Sequence, residues 1–237
     1  MLSYWELMRW GDQGWADEMA YGALLTLAVS AQAFVLGLCF GTLAAFAKLS
    51  SSRAARAVAD GYTTVLRGIP DLLVIYLLYF GGSGVVTSIA EALGHDGFVE
   101  INPFFTGALA VGIVSGAYST EVIRGAYLAI ARGEIEAAKS VGMSPFLMFR
   151  RILAPQILRY ALPGLGNVWQ LALKESALIS VTGLVEILRQ SVVGSGSTKQ
   201  PFDFYMTAAL AFLVLTTVTG WLFRRAEAWS MRGVRRD

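Results

Sequence analysis

The chain contains five long stretches of mainly apolar residues, each near the 20 or so residues that an α-helix needs to cross the roughly 30 Å hydrocarbon layer of a bilayer. Because 55% of all residues are hydrophobic and only 15% are charged, the composition indicates a membrane protein rather than a soluble domain. We therefore predict one all-α transmembrane domain over residues 1–237, with five transmembrane helices. The stretches cover about 21–47, 61–80, 104–128, 163–184 and 204–223.

The distribution of Lys and Arg predicts the orientation of these helices. Cytoplasmic loops of membrane proteins carry an excess of both residues. The segments after the first, third and fifth stretches are base-rich, whereas 81–103 has no Lys or Arg and 186–203 has only two. We therefore predict an N terminus outside the cytoplasm, a C terminus inside it and an odd number of spans. The basic residues are Lys48, Arg53, Arg56, Arg132, Lys139, Arg150, Arg151, Arg159, Arg224, Arg225, Arg232, Arg235 and Arg236.

Few residues are available for catalysis. Cys39 and His95 are the single Cys and the single His, so the sequence offers no disulfide and no metal-ligand set. A membrane enzyme would need a nucleophile beside a base, or a metal, and neither pattern is present. The chain also lacks the G-x-x-x-x-G-K-[ST] phosphate loop, so we do not expect it to hydrolyse nucleotides itself.

The segment GEIEAAKSVGMSPFLMFRRILAP at 133–155 lies in the longest predicted cytoplasmic connection, about 129–160. Its first half predicts a short helix, because Glu134, Glu136 and two following alanines suit a first helical turn. Gly142 is placed to stop that helix, since glycine readily adopts the left-handed conformation of a helix C terminus.

The second half of the segment predicts another short helix, with Ser144 as the N-cap and Pro145 in the first helical position. Apolar side chains then recur at helical spacing opposite two arginines, and Pro155 is expected to end the helix. Such a helix can lie parallel to the membrane with its apolar stripe available to a cytosolic groove. The alternative is an interfacial helix that only contacts lipid headgroups. The stripe is Phe146, Phe149 and Leu153, and the arginines are Arg150 and Arg151.

The same segment strongly resembles the EAA loop of binding-protein-dependent ABC importer permeases, through Glu136-Ala137-Ala138, Gly142, Ile152 and Pro155. The resemblance continues through GYTT and RGIPDL at 61–72, GAYSTEVIRGA at 116–126 and RYALPGLGNVWQLALKESALIS at 159–180. Taken together, these motifs are similar to the polar amino acid permeases. The similarity is strongest to the Q-type subunits of importers for histidine, lysine, arginine and ornithine or for opines such as octopine and nopaline.

This resemblance implies a type I ABC importer permease fold in the bacterial inner membrane, with the N terminus periplasmic. It implies a heterodimer with an M-type permease, two cytosolic ATPase subunits that bind the ATP, and a periplasmic solute-binding protein. No cofactor is expected in this chain. A membrane scaffold or channel subunit without ATP coupling is the alternative, but it gives no reason for the capped amphipathic loop helix. The implied ATPase-coupling residues are Glu136, Ala137, Ala138, Gly142, Phe146, Phe149 and Arg150.

Charged residues inside the predicted helices are candidates for function, because an ionisable group in the membrane is costly unless it is paired or faces water. The first pair flanks Gly68-Ile69-Pro70, where the proline can break the helix around a cavity. The second pair lies at i and i+3, close enough to interact. The third pair is adjacent, so its side chains point about 100° apart and each needs its own partner. The pairs are Arg67 and Asp71, Glu121 and Arg124, and Lys174 and Glu175.

Two interpretations of these charges remain open. Either they form ion pairs that hold the helices or subunits together, or they bind a cationic solute near the middle of the bilayer. For the second interpretation we predict Asp71, Glu121, Lys174 and Glu175 as solute-binding residues, with the acids holding the guanidinium or ammonium group. Three glycines of the third stretch are expected to serve close helix packing instead. They are Gly112, Gly116 and Gly125.

The predicted topology can be tested with single cysteines in a chain without Cys39. An impermeant thiol reagent added from outside is expected to label a cysteine at position 95 but not one at position 235, because only the C-terminal segment is base-rich. Labelling at 235 and not at 95 would reverse the orientation.

Overall fold

The computed structural model describes residues 3–94, 97 and 101–231, and all regular secondary structure in this part of the chain is helical. The prediction of an all-α chain is confirmed. His95 and Arg235, the positions used in the topology test, lie outside the described residues. The helices are α1 (Tyr4–Leu7), α2 (Ala16–Leu49), α3 (Arg53–Gly68), α4 (Asp71–Ala92), α5 (Pro103–Leu128), α6 (Arg132–Ser140), α7 (Pro145–Met148), α8 (Ala154–Glu175), α9 (Ile187–Thr198) and α10 (Pro201–Ser230).

Four of the described helices are long and apolar enough to cross a membrane, namely α2, α4, α5 and α10. They contain the first, third and fifth predicted stretches. The fourth predicted stretch, 163–184, corresponds to the second half of α8 and to the 3-10 helix Ser176–Thr182 that follows it. α8 has 22 residues and packs against α2, α5 and α10, although its polar residues lower its hydropathy. The count of five spans and their orientation stay predictions.

The second predicted stretch, 61–80, is wrong as a single helix. α3 ends at Gly68, and α4 begins at Asp71 after Pro70. Ile69 is extended, with φ −111° and ψ 150°, because the ring of a following proline disfavours the helical conformation. The apolar helix α4 instead continues to Ala92 through a π-helical turn at Leu77–Gly81. The predicted break between Arg67 and Asp71 is therefore confirmed.

α2 and α5 form the most extensive helix contact in the described chain. A Cβ on Gly112 would lie 2.8 Å from the Cβ of Leu36 and 3.1 Å from the carbonyl oxygen of Ala33. A Cβ on Gly116 would likewise lie 2.9 Å from that of Phe40. The predicted packing role of these two glycines is confirmed, since only a hydrogen fits between the helices. For Gly125 the prediction is wrong, because a Cβ there would meet nothing within 4 Å.

A buried apolar cluster lies where α2, α4, α5 and α8 meet. Ile75 of α4 is 1% exposed and Ala172 of α8 is fully buried in this cluster. Ile75 lies one turn after Asp71, and Ala172 lies one turn before Glu175. The packing of this core therefore fixes the positions of two predicted solute ligands.

A second cluster closes the opposite end of the bundle from the 133–155 loop. Leu7 of α1 packs there with Phe204 at the start of α10.

Glu186 caps α9, because its carboxylate accepts hydrogen bonds from the backbone N–H groups of Leu188 and Arg189 at 3.0 and 2.8 Å. Sequence inspection did not single out this buried acid, and its hydrogen bonds give it a structural role.

The α2–α5 contact predicts different outcomes for two glycines of one helix. Gly112→Ala forces the helices apart and should cost roughly 1–3 kcal/mol of stability, the usual range for overpacking. Gly125→Ala should be neutral or slightly stabilising, because its site is open and alanine is the better helix former. Thermal denaturation of the purified protein measures the stability of both variants. Equal melting temperatures for the two variants would contradict the packing role of Gly112.

Candidate functional site

Two carboxylates meet at the break between α3 and α4. Asp71 is the first residue of α4, and Glu175 is the last residue of α8. Their carboxyl groups interact electrostatically. Glu175 is only 6% exposed, and neither of its carboxylate oxygens has a hydrogen-bond partner among the described residues. A buried acid without a partner is unfavourable, so this position is suited to receive a cation.

Tyr118 and Arg67 complete this group. The Cζ atom of Arg67 lies 5.3 Å from the centroid of the Tyr118 ring, a cation–π arrangement. The charges of Asp71, Glu175 and Arg67 all act on the Tyr118 hydroxyl. Arg67 is exposed and forms no ion pair within the described part of the chain. The four residues come from α3, α4, α5 and α8, and we call them the break site.

Glu121 belongs to a separate ion-pair network at the base-rich end of the bundle. Its Oε1 lies 2.6 Å from Lys48 Nζ, and its Oε2 lies 3.2 Å from Arg124 Nε. The predicted pairing with Arg124 is therefore present. Lys48 also contacts Asp60 Oδ1 at 2.9 Å, so the network joins α2, α3 and α5. Asp60 was missed at the sequence level, because nothing local indicates that α3 returns towards Lys48.

An open polar pocket of about 440 Å³ connects the network to the break site. Tyr118 and Arg67 line one part of it, and Glu121 and Lys48 line the other. Thr63 and Thr64 supply hydroxyl groups between them. The pocket thus contains both positively and negatively charged side chains, which a zwitterionic solute requires for binding.

Lys174 does not join the break site. It is exposed, and it lines a different cavity between α8 and α10 with Phe212 and Thr216. Its neighbour Glu175 is buried, as the predicted 100° separation of adjacent helical side chains requires. Of the four predicted solute ligands, Asp71 and Glu175 lie together at the break site. Glu121 and Lys174 lie elsewhere.

The loop between α5 and α8 has the predicted turn. Gly142 has φ +72°, in the left-handed region. The N–H of Gly142 donates to the carbonyl of Lys139 at 3.0 Å, and the N–H of Met143 donates to that of Ala138 at 3.1 Å. These two bonds form a Schellman motif that ends α6. Ser144 then caps α7, accepting a hydrogen bond from the N–H of Leu147 at 3.3 Å.

The prediction that Pro155 ends the second loop helix is wrong. A π-helical turn at Phe149–Leu153 leads directly from α7 into α8, and Pro155 lies in the first turn of α8. Proline fits there because it has no backbone N–H, and the π-helical turn just before it already departs from the i→i−4 hydrogen-bond pattern. The loop is therefore joined to α8 by continuous helical structure, and Glu175 lies at the far end of the same helix, which also contains Pro163.

The residues of the predicted apolar stripe lie in two different environments. Phe146 is 73% exposed and remains available to a partner. Leu153 is 7% exposed, and with Phe149 it lines an apolar cavity inside the chain. Among the other predicted coupling residues Ala138 is buried. Glu136, Ala137, Gly142 and Arg150 are exposed.

Comparison with known proteins finds a matching family and similar chains. Residues 37–231 match the family model described as binding-protein-dependent transport system inner membrane component. The chain is 58% identical over 235 residues to the octopine transport system permease protein OccQ of Rhizobium radiobacter, covering 99% of both chains. It is 38% identical over 223 residues to the histidine/lysine/arginine/ornithine permease HisQ of Escherichia coli K12, covering 94% of this chain and 97% of HisQ.

A solved structure agrees with these sequence matches. The crystal structure of an amino acid ABC transporter with histidines contains a chain that superimposes with a TM-score of 0.76 at 31% identity. The superposition covers 90% of this chain and 94% of the other. The helical arrangement described above is therefore that of an ABC importer permease.

Proposed function

This chain belongs to the family of binding-protein-dependent transport system inner membrane components, and we propose that it is the permease subunit of an ATP-driven importer for an opine or a basic amino acid. The family places it in the inner membrane as an integral protein with several apolar helices. The observation that carries the choice of solute is the buried Glu175, which lies beside Asp71 and has no basic partner among the described residues. Membrane proteins keep such costly groups where a solute or ion is handled.

The break site suits a solute that carries both a guanidinium or ammonium group and a carboxylate. Glu175 and Asp71 offer only acceptors, which match the donors of a guanidinium. Arg67 lies at the same site without an ion pair in the described residues, so it can receive the carboxylate of the solute. Arginine and the opines derived from it carry both groups.

Glu121 stays a predicted contributor to solute passage, at a second position. Lys48 and Arg124 already compensate its charge, so a cation would bind there more weakly than at Glu175. The open pocket between the two positions gives a solute a polar route past Tyr118. We infer that Glu175 and Asp71 hold the cationic group, and that Glu121 acts during its release.

Energy must come from other subunits, because this sequence has no phosphate loop. We propose that cytosolic ATPases dock on the exposed loop residues, namely Glu136, Ala137, Gly142, Phe146 and Arg150. The π-helical turn joins this surface to α8, whose 22 residues span about 33 Å at 1.5 Å per residue. Movement of the loop can therefore reach Glu175 through one continuous helix.

A second permease, the predicted M-type subunit, is proposed to cover the groove between α8 and α10. Asn167, Gln170 and Lys174 recur at i, i+3 and i+7 and form a polar stripe along α8. Asn167 and Lys174 are exposed, and most of the face of α10 is exposed as well. Because polar groups on a membrane helix require protein or water around them, this stripe does not suit lipid. We also expect a periplasmic solute-binding protein at the opposite end from the ATPases.

Gly142→Val tests the proposed coupling. Valine is strained at φ +72°, so the Schellman turn should be lost while the chain still inserts in the membrane. We expect the assembled importer to lose most of its solute-stimulated ATP hydrolysis.

The matched control is Gly142→Asn, because asparagine tolerates the left-handed conformation better than other non-glycine residues. This variant should retain more stimulation than Gly142→Val. Full stimulation of ATP hydrolysis in the valine variant would remove the role of the turn.

Glu175→Gln tests the proposed solute contact, because it preserves side-chain size and removes the charge. Loss of a charged hydrogen-bonding contact is worth on the order of 1–3 kcal/mol, so affinity for a cationic solute should fall roughly five- to 150-fold. Uptake of labelled octopine and arginine by the reconstituted importer measures this change. The variant should assemble normally, since glutamine has the size of the glutamic acid side chain and no described residue forms a salt bridge with Glu175.

Glu91→Gln is the control for Glu175→Gln, because Glu91 is an exposed acid in the last turn of α4. Uptake by this variant should equal that of the wild type. Unchanged affinity for both solutes in Glu175→Gln would exclude Glu175 as a ligand, whereas failure of assembly would show that its role is structural.

A further inference from the structure

An apolar cavity of about 570 Å³ lies at the base-rich end of the bundle, away from the break site. It is bordered by the last turns of α2 and α5, by the π-helical turn and by the first half of α8, and it is open on one side. Its volume is in the range of roughly 300–1,000 Å³ that small-molecule sites occupy. Its walls are almost entirely hydrocarbon and aromatic, so it does not suit the charged solutes proposed above. Lining residues used below are Thr42, Phe46, Tyr127, Phe149 and Leu153.

The depth of the cavity corresponds to half a bilayer. Its wall on α2 runs from Leu38 to Leu49, and 11 residues of helix rise about 16 Å. Half of the hydrocarbon layer is about 15 Å thick. Both α2 and α5 end beside the cavity, at Leu49 and Leu128, so it lies along the last turns of both helices.

Two arginines lie close in sequence to residues that line the cavity. Arg150 and Arg151 lie in the same π-helical turn as the wall residues Phe149 and Leu153. Both are exposed, and no carboxylate in the described part of the chain pairs with either. Lys48 lies nearby in sequence, but it is already held by Asp60 and Glu121. Arg150 belongs to the proposed ATPase surface, so Arg151 remains as an uncompensated positive charge beside the cavity.

We propose that this cavity binds an acyl chain of an anionic phospholipid from the cytoplasmic leaflet, with the headgroup held by Arg151. The cytoplasmic leaflet supplies anionic lipids, and basic residues at its surface attract them. An acyl chain matches the apolar walls and the length of the cavity, while the phosphate matches Arg151. The bound lipid would fill the space between the coupling loop and the transmembrane helices.

Photo-crosslinking identifies the occupant of the cavity directly. A benzophenone amino acid is placed at position 42, whose side chain lines the cavity, in the complete importer within membranes containing phosphatidylglycerol. The expected product is this chain with the mass of a phospholipid added. A crosslink to another protein chain, or no adduct, would overturn the proposal.

Filling the cavity provides an independent test. Thr42→Trp should displace the lipid, so less phosphatidylglycerol should remain with the purified importer in native mass spectrometry. Leu43→Trp is the matched control, because Leu43 is 68% exposed and does not line the cavity. Equal retention of phosphatidylglycerol by the two variants would contradict the proposed site.

The headgroup contact is tested with Arg151→Gln, which should weaken phosphatidylglycerol retention about fivefold, the effect of one basic residue at an anionic membrane surface. Arg225→Gln removes the same charge from α10, where the guanidinium lies 5.1 Å from the Trp221 ring, and should leave retention unchanged. Phosphatidylcholine should bind the wild type more weakly than phosphatidylglycerol. Equal retention of both lipids, or equal loss in both arginine variants, would exclude a specific headgroup contact.

Discussion

The close contact between α2 and α5 is the interaction on which the rest of the structure depends. Glycines at Gly112 and Gly116 allow the two helices to approach until side chains of one meet backbone of the other. α5 also carries Tyr118 and Glu121, so this contact fixes one wall of the polar pocket. Lys48 at the end of α2 then reaches Glu121 and draws α3 in through Asp60. The packing of α2 on α5 thus determines where these charged side chains lie.

α8 combines two tasks that the sequence presents as separate. Its first turns continue from the coupling loop through a π-helical turn, and its last residue is the buried Glu175. α8 is one helix from Ala154 to Glu175, although it contains Pro163, so its two ends are linked directly. This arrangement gives the coupling proposed above a physical route without a chain of intermediate side chains. The cavity beside the π-helical turn lies where that route begins.

Most of the helical architecture could be predicted, because a membrane requires long apolar helices and the sequence records their length directly. The loop turn could also be predicted, since Gly142, Ser144 and Pro145 act through local backbone geometry. The errors occurred where a local signal had two possible outcomes. Pro155 can end a helix or lie in the first turn of the next, and an apolar run beside Pro70 can extend in either direction. The local sequence pattern is the same whichever outcome occurs.

The sequence by itself determined the membrane class, the charge asymmetry, the resemblance to importer permeases and the acids worth testing. Only the tertiary structure decided which acids act together. Glu121 meets Lys48 across 73 positions of sequence, whereas Glu175 is left without a hydrogen-bond partner in the described chain and lies beside Asp71. The physical reason is that periodicity and caps depend on neighbours along the chain. The state of a buried charge depends on neighbours in space, which packing alone supplies.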